Sequence, residues 1–339
     1  MELKELTIEL CSLAGPSGAE SAVFDYVSAY VRPFCDEVRT DVLGNLIAVK
    51  RCGREGAKAL LLDAHMDEIG FVVTAAEEGF LKFAAIGGID ARILPAREVK
   101  LLADEELFGV IDTMPPHILS EEEMGSAVPI DKLCIDAGLS QEAAERLCPP
   151  GTPAVFYAGC RELGEDCLCG KSLDDRACAA ILVKAFEELC GRELSVDVVL
   201  MLSTQEEVGG RGAIVGAYGA APEYAIVVDV TFAKTPDARE VTVELGKGAA
   251  VGIGPNMSTP MTRELLRLAE EKGIPAQKEV CPGRSGTNAE EIQVSRAGVA
   301  TALISLPERY MHTPAEVVSL ADMESVRRLV VEYAAGMEG

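Results

Sequence analysis

The chain has 339 residues, 48% of them hydrophobic, and a formal net charge of −24. That length suits one large domain or two ordinary ones, with enough apolar residues for a sizeable core. The acidity argues against nucleic acid, which needs clustered Lys and Arg to neutralise phosphate, and against anionic membranes; its plainest meaning is solubility.

Residues 3–13 and 19–33 carry helical periodicity, separated by the turn signal Gly15-Pro16-Ser17-Gly18. Segments 37–41 and 45–50 read as strands, and the continuous apolar run 59–62 as a strand buried on both faces. From about 69 to 164 the texture changes to short strands at 70–75, 80–85, 98–102 and 107–112, broken by Gly and Pro. One helix is predicted there, over 140–147, with Ser140 as its cap. The α/β rhythm then returns, with helices at 174–189, from 210, and at 259–272, 288–294 and 322–335. Strands at 196–204, 225–230, 276–280 and 299–305 alternate with them. This predicts an α/β sandwich with helices on both faces, built from 1–68 and 165–339, interrupted by a β-rich insertion over 69–164.

No secretory signal is visible at the N-terminus, and no apolar run approaches ~18 residues, so a soluble, cytoplasmic protein is expected. The eleven cysteines are odd in number and scattered, which is not a disulfide framework. Cys11, Cys178 and Cys190 fall at apolar helical positions and read as small buried hydrophobes. The close pair Cys167 and Cys169 lacks the further ligands that a soft metal site needs.

The chemistry-bearing residues begin with histidine, of which there are three. His65 and His312 have settings suited to a metal, and between them come Asp174-Asp175, Glu206-Glu207 and Asp229. Imidazole with several carboxylates is a ligand mixture for zinc, cobalt or manganese. His65, Glu206-Glu207 and Asp229 follow or end predicted strands, and ligands gather beyond the carboxyl ends of strands in open α/β sheets. Asp67, two residues after His65, is placed to brace the imidazole; the plainer reading makes Asp67 and Glu68 solvent-facing loop acids. Asp174-Asp175 opens a helix, where capping alone explains it. Glu206 and Glu207 are poorly suited to a glycosidase, whose carboxylates flank the bond at about 5–10 Å and come from different elements. His117, after Pro115-Pro116, is assigned no chemistry.

The ordered set Asp63-Ala64-His65-Met66-Asp67-Glu68, Ser172-Leu173-Asp174-Asp175-Arg176, Thr204-Gln205-Glu206-Glu207-Val208-Gly209, Asp229 and Arg309-Tyr310-Met311-His312-Thr313-Pro314 resembles the co-catalytic dinuclear metallo-aminopeptidases. That branch includes glutamyl and deblocking aminopeptidases, the tetrahedral aminopeptidases, and proteins once labelled endoglucanase M or cellulase M. The likeness covers essentially the whole chain, including Ala85-Ile86-Gly87-Gly88-Ile89-Asp90 in the insertion.

The resemblance implies an aminopeptidase-type α/β/α sandwich whose small PDZ-like insertion mediates dimerisation, with six dimers forming a dodecamer. It implies two divalent ions (Zn, Co or Mn) about 3.5 Å apart. Asp174 would bridge them, with His65 and Asp229 on one ion and Glu207 and His312 on the other. Asp67 would orient His65. Glu206 would be the general base as activated hydroxide attacks the peptide. A cis peptide between Asp174 and Asp175 is also implied. Where relatives commonly carry Gly-Thr-Asp-Ala, this chain has Gly286-Thr287-Asn288-Ala289, which removes a charge expected near the substrate and keeps a helix cap. The competing readings are a dinuclear-metal deacylase acting on N-acyl substrates and a catalytically silent assembly homologue. No nucleic-acid or membrane partner is expected, only peptide substrates and copies of the chain.

Overall fold

The computed structural model describes residues 1–118, 125–238 and 240–338. Helices α1 (Leu3–Ser12) and α2 (Ser21–Val31) precede strands β1 (Glu37–Thr40), β2 (Leu46–Lys50) and β3 (Ala59–His65). A six-stranded closed barrel follows, formed by β4 (Gly70–Glu77), β5 (Phe80–Ile86), β6 (Glu98–Leu102), β7 (Glu106–Ile111), β8 (Ile135–Asp136) and β9 (Pro153–Phe156), with helix α3 (Gln141–Leu147) packed on it. The chain then makes β10 (Arg161–Leu163), β11 (Cys167–Gly170), α4 (Leu173–Cys190), β12 (Asp197–Ser203), α5 (Arg211–Ala220) and β13 (Tyr224–Phe232). It closes with β14 (Ala249–Ile253), α6 (Thr259–Glu271), β15 (Ala276–Val280), α7 (Ala289–Gln293), β16 (Ala300–Arg309), β17 (Glu316–Ser319) and α8 (Leu320–Gly336).

The large sheet runs β1-β2-β12-β3-β13-β16-β17-β11-β10, with β14 and β15 branching from β16. Its centre is parallel: β3 lies between β12 and β13, and β16 pairs with β13. Side chains alternate along a strand, so the apolar run of β3 feeds two cores at once. Leu60, Leu62 and Ala64 join the core with α1, α2, α4 and α8, while Leu61 joins the one with α5 and α7. The expected helix–sheet–helix sandwich follows from that two-sided burial. The barrel has its own core around Phe71, Phe83 and Phe156, with Phe71 edge-on to both partners.

Several elements depart from the sequence reading. Strands β8, β9, β10, β11, β14 and β17 have no predicted counterpart, being short or lying between glycines, and β10 joins the large sheet although its residues fall within the expected insertion over 69–164. Cys167 and Cys169 lie on β11 against β17, as strand residues. All the cysteines are free; Cys11 and Cys178 are buried, whereas Cys190 is half-buried at the edge of the core. Helix α4 does not begin as an ordinary capped helix: Asp174 and Asp175 have non-helical dihedrals, the peptide between them is cis, and Ser172 before them is left-handed at φ 55°. No described helix is long and apolar enough to cross a membrane.

Candidate metal centre

Parallel pairing brings the strand ends together. β3 ends on His65, opposite Ser203 at the end of β12, and the loop after β12 carries Glu206 and Glu207. Asp229 sits on β13 opposite Ser305 of β16. The turn after β12 uses left-handed backbone at Gln205 (φ 57°), Gly209 and Gly210. His312, beyond β16, also has a left-handed backbone, at φ 61°, a conformation that a non-glycine residue keeps only when its surroundings hold it. The hold comes from Glu316, whose Oε1 accepts from the His312 N–H at 3.1 Å while its Oε2 accepts from the Asp174 N–H at 3.2 Å.

At the centre lies the Asp174 carboxylate. Its Oδ1 is 3.1 Å from His65 Nε2 and its Oδ2 is 3.2 Å from His312 Nε2. His65 Nε2 is also 4.0 Å from Asp229 Oδ1, and His312 Nε2 is 3.3 Å from Glu207 Oε2. The far sides of both rings are fixed. His65 Nδ1 faces the Asp67 carbonyl at 3.1 Å and its carboxylate at 3.4 Å, and His312 Nδ1 faces the Gly88 carbonyl at 2.7 Å.

Asp67 and Glu68 are both buried, so the reading of them as solvent-facing loop acids fails. The Asp67 carboxylate accepts from the N–H of Glu206 at 3.0 Å, the N–H of Glu207 at 3.2 Å and the hydroxyl of Ser17 at 2.6 Å. Glu68 pairs with Lys171 at 2.7 Å and accepts from the Gly15 N–H at 3.0 Å, docking the Gly15-Pro16-Ser17-Gly18 turn beneath the site. These supports were not anticipated. A carbonyl such as that of Gly88 leaves no side-chain signal, and Glu316 had only its spacing four residues after His312.

The electrostatics are those of crowded acids. Burial, reinforced by neighbouring carboxylates, pushes Glu206 up to about 7 and raises Glu207 and Asp229 well above the usual range. Asp174 goes the other way: burial opposes its charge, but the two imidazoles outweigh it and hold the carboxyl low. Burial opposes the charged form of both histidines, and Asp174 overcomes it and raises them, with Asp67 adding to the effect on His65.

The cavity here, about 320 Å³, is lined by Asp174, Glu206, Glu207, Asp229 and Glu279 and, among the described residues, by no Lys or Arg. Nearby, Asp175 Oδ1 and both Glu308 carboxylate oxygens are buried with no hydrogen-bond partner among the described residues. Buried anions without a cation are costly. Two triads have ligand atoms within 4.8 Å of one another, His65 with Asp174 and Glu207, and His65 with Asp175 and Asp229. The donor set therefore fits divalent cations. All the candidate residues converge on this cavity, Asp67 from just behind it. His117 is exposed and outside its lining.

Asn288 corrects an expectation. Its side chain is buried and does not cap α7; Nδ2 donates to Asp63 Oδ2 at 3.0 Å and to Ser203 Oγ at 2.8 Å. It lies behind the sheet end, outside the cavity lining, so an Asp there would meet the Asp63 carboxylate.

Residues 44–329 match the family model described as M42 glutamyl aminopeptidase. The chain belongs to the M42 glutamyl aminopeptidase family. This M42 chain is 34% identical over 332 residues to the lysyl aminopeptidase of Pyrococcus furiosus, covering 96% of this chain and 94% of that one. Its structure superposes on the TET aminopeptidase of a marine-sediment Thaumarchaeota archaeon with a TM-score of 0.93 at 30% identity, over 99% and 97% of the two chains. With the Pyrococcus horikoshii TET1 peptidase, which assembles into a tetrahedron or a large octahedral shell, the TM-score is 0.88 at 31% identity, over 99% and 100%. M42 membership and the ligand groups together make this a metal-dependent aminopeptidase, a hydrolase.

Proposed function

We propose that the chain removes N-terminal residues from peptides with a two-ion centre. His65, Asp174 and Asp229 would hold one ion, Asp174, Glu207 and His312 the other, and Glu206 would be the general base. The observation that carries this is the Asp174 carboxylate, whose two oxygens each face a different imidazole, at 3.1 and 3.2 Å. Zinc, cobalt and manganese all suit the donors.

When bound, such ions supply Lewis acidity and a nucleophile usable near neutral pH. The chain's residues do the rest. Glu206 takes a proton from the attacking water and returns it to the departing amine nitrogen. Asp67 fixes the Glu206 and Glu207 backbone, and Gly88 holds the His312 ring.

The barrel's exposed Phe80, Phe108, Val110 and Tyr157 support a dimer contact through the insertion over 69–164, and the tetrahedral assembly of the TET1 relative supports dimers gathered into a dodecamer. Light scattering should then show a species larger than a dimer.

Glu206→Gln tests the chemistry: metal content and fold stay, while kcat on aminoacyl chromogenic substrates falls by ~10²–10⁴. Turnover like that of the wild type would exclude Glu206 as base. A wild-type protein inert after cobalt or zinc reconstitution would overturn the whole reading.

A further inference from the structure

Four of the five carboxylates lining the cavity are taken by the proposed ligands and base. The fifth, Glu279, comes from β15 at the margin of the sheet, where the strand pairs, among the described residues, only with β14. Its Oε2 accepts from the buried Ser305 hydroxyl at 2.6 Å, and its Oε1 accepts from the Thr231 hydroxyl. Hydroxyls from two other strands thus aim an edge-strand carboxylate into the cavity. Thr231 follows Asp229 by two residues on the same face of β13, a separation of roughly 6.5–7 Å along the strand. Ser305 is the direct strand partner of Asp229. The acid therefore enters the cavity from the side of Asp229, and Phe232, Leu303 and Met311 give the cavity an apolar wall.

We infer that Glu279 selects the substrate's N-terminal residue, favouring a lysyl or arginyl side chain whose stem lies on the apolar wall and whose cation meets the Glu279 carboxylate. This rests on the aminopeptidase reading above. The chemistry matches on each count. Both hydroxyls donate, so the carboxylate retains lone pairs for an incoming cation. Among the described residues, no Lys or Arg lines the cavity, so none neutralises the carboxylate or welcomes an acidic side chain. A long aliphatic stem with a charged tip suits a cavity that offers both an apolar wall and a carboxylate.

The test compares Lys, Arg, Leu and Glu p-nitroanilides on the metal-reconstituted protein, wild type and E279Q, with calorimetric binding of free lysine against norleucine. Norleucine has the same stem without the ammonium, so it isolates the charge. The wild type should prefer Lys and Arg to Leu. In E279Q the Lys-to-Leu ratio of kcat/KM should fall about 10- to 100-fold, the loss of one charge-assisted contact, and lysine should lose its binding advantage over norleucine. E279K should turn the preference toward the Glu substrate.

If Glu279 only pins β15, all substrates fall together and the ratio stays, which overturns the assignment while leaving the aminopeptidase reading intact. A wild type that prefers acidic residues overturns it as well. Failure to cleave any aminoacyl substrate overturns both.

Discussion

Asp67→Asn separates two roles that the sequence merged into one. The wild-type carboxylate takes the Glu206 N–H on Oδ1 and the Glu207 N–H and Ser17 hydroxyl on Oδ2. An amide has one acceptor oxygen. Whichever way it is turned, one half-buried backbone N–H of the Glu206-Glu207 pair faces an NH₂ group and is orphaned. The cost is about 1–3 kcal/mol for the lost partner. Ser17 escapes, because its hydroxyl can rotate to accept. His65 is also largely spared, since its closer support is the Asp67 carbonyl at 3.1 Å, which the substitution keeps. On the proposed two-ion reading the expected result is asymmetric: affinity falls by about 10- to 100-fold for the ion that Glu207 and His312 would hold, and much less for the one that His65 and Asp229 would hold. Calorimetric titration of the metal-free variant with cobalt reads the two steps, and anomalous diffraction assigns each to its ligands. Loss confined to the His65 and Asp229 side would refute the reasoning, because Asp67 would then act through the imidazole alone.

Removing metal with a chelator should abolish hydrolysis and lower the melting temperature, with cobalt or zinc restoring both; at 100 times Kd the ion contributes about 2.7 kcal/mol. Hydrolysis surviving at zero metal content would exclude metal dependence. In Gly88→Ala the new Cβ would lie 3.1 Å from His312 Nδ1, so the ring must give by a few tenths of an ångström. Metal affinity and kcat should fall about tenfold, and equal titration curves would show that the ring is held elsewhere. Burial raises the Asp63 carboxyl to about 7, so the folded state holds its proton longer than the unfolded chain. Stability is then greatest below the unfolded value, falls as pH rises towards 7, and is level beyond it. Asp63→Asn should remove a loss of at most about 4 kcal/mol, so its advantage in urea midpoint should grow between pH 5 and pH 8. A pH-independent difference would refute this.

The candidate site was legible where chemistry coincides with strand ends. His65 closes an apolar run, Glu206 and Glu207 follow another, and a parallel sheet delivers such positions to one edge. The sandwich was legible for the same reason, since β3, β12 and β13 are apolar on both faces. Legibility ended where backbone or direction decides. The Gly88 carbonyl has no side chain to notice. Asp174-Asp175 reads as a cap until the non-helical dihedrals turn the first acid between two imidazoles. Asn288 reads as a cap too, yet its amide points inward to a carboxylate 225 positions away. Strands such as β14 were missed because Ala and Gly pack well there without announcing a strand.

The Gly88 contact has a consequence for protein engineering. By connectivity the barrel begins at Gly70, the first residue of β4, and looks like a cassette that could be exchanged. By chemistry the catalytic unit runs further, because the segment after β5 steadies one imidazole. A chimera cut at Gly70 would import a foreign loop and leave His312 unbraced, whereas a graft retaining Gly87-Gly88 would carry that brace with it. The natural seam for recombination lies inside the smaller unit.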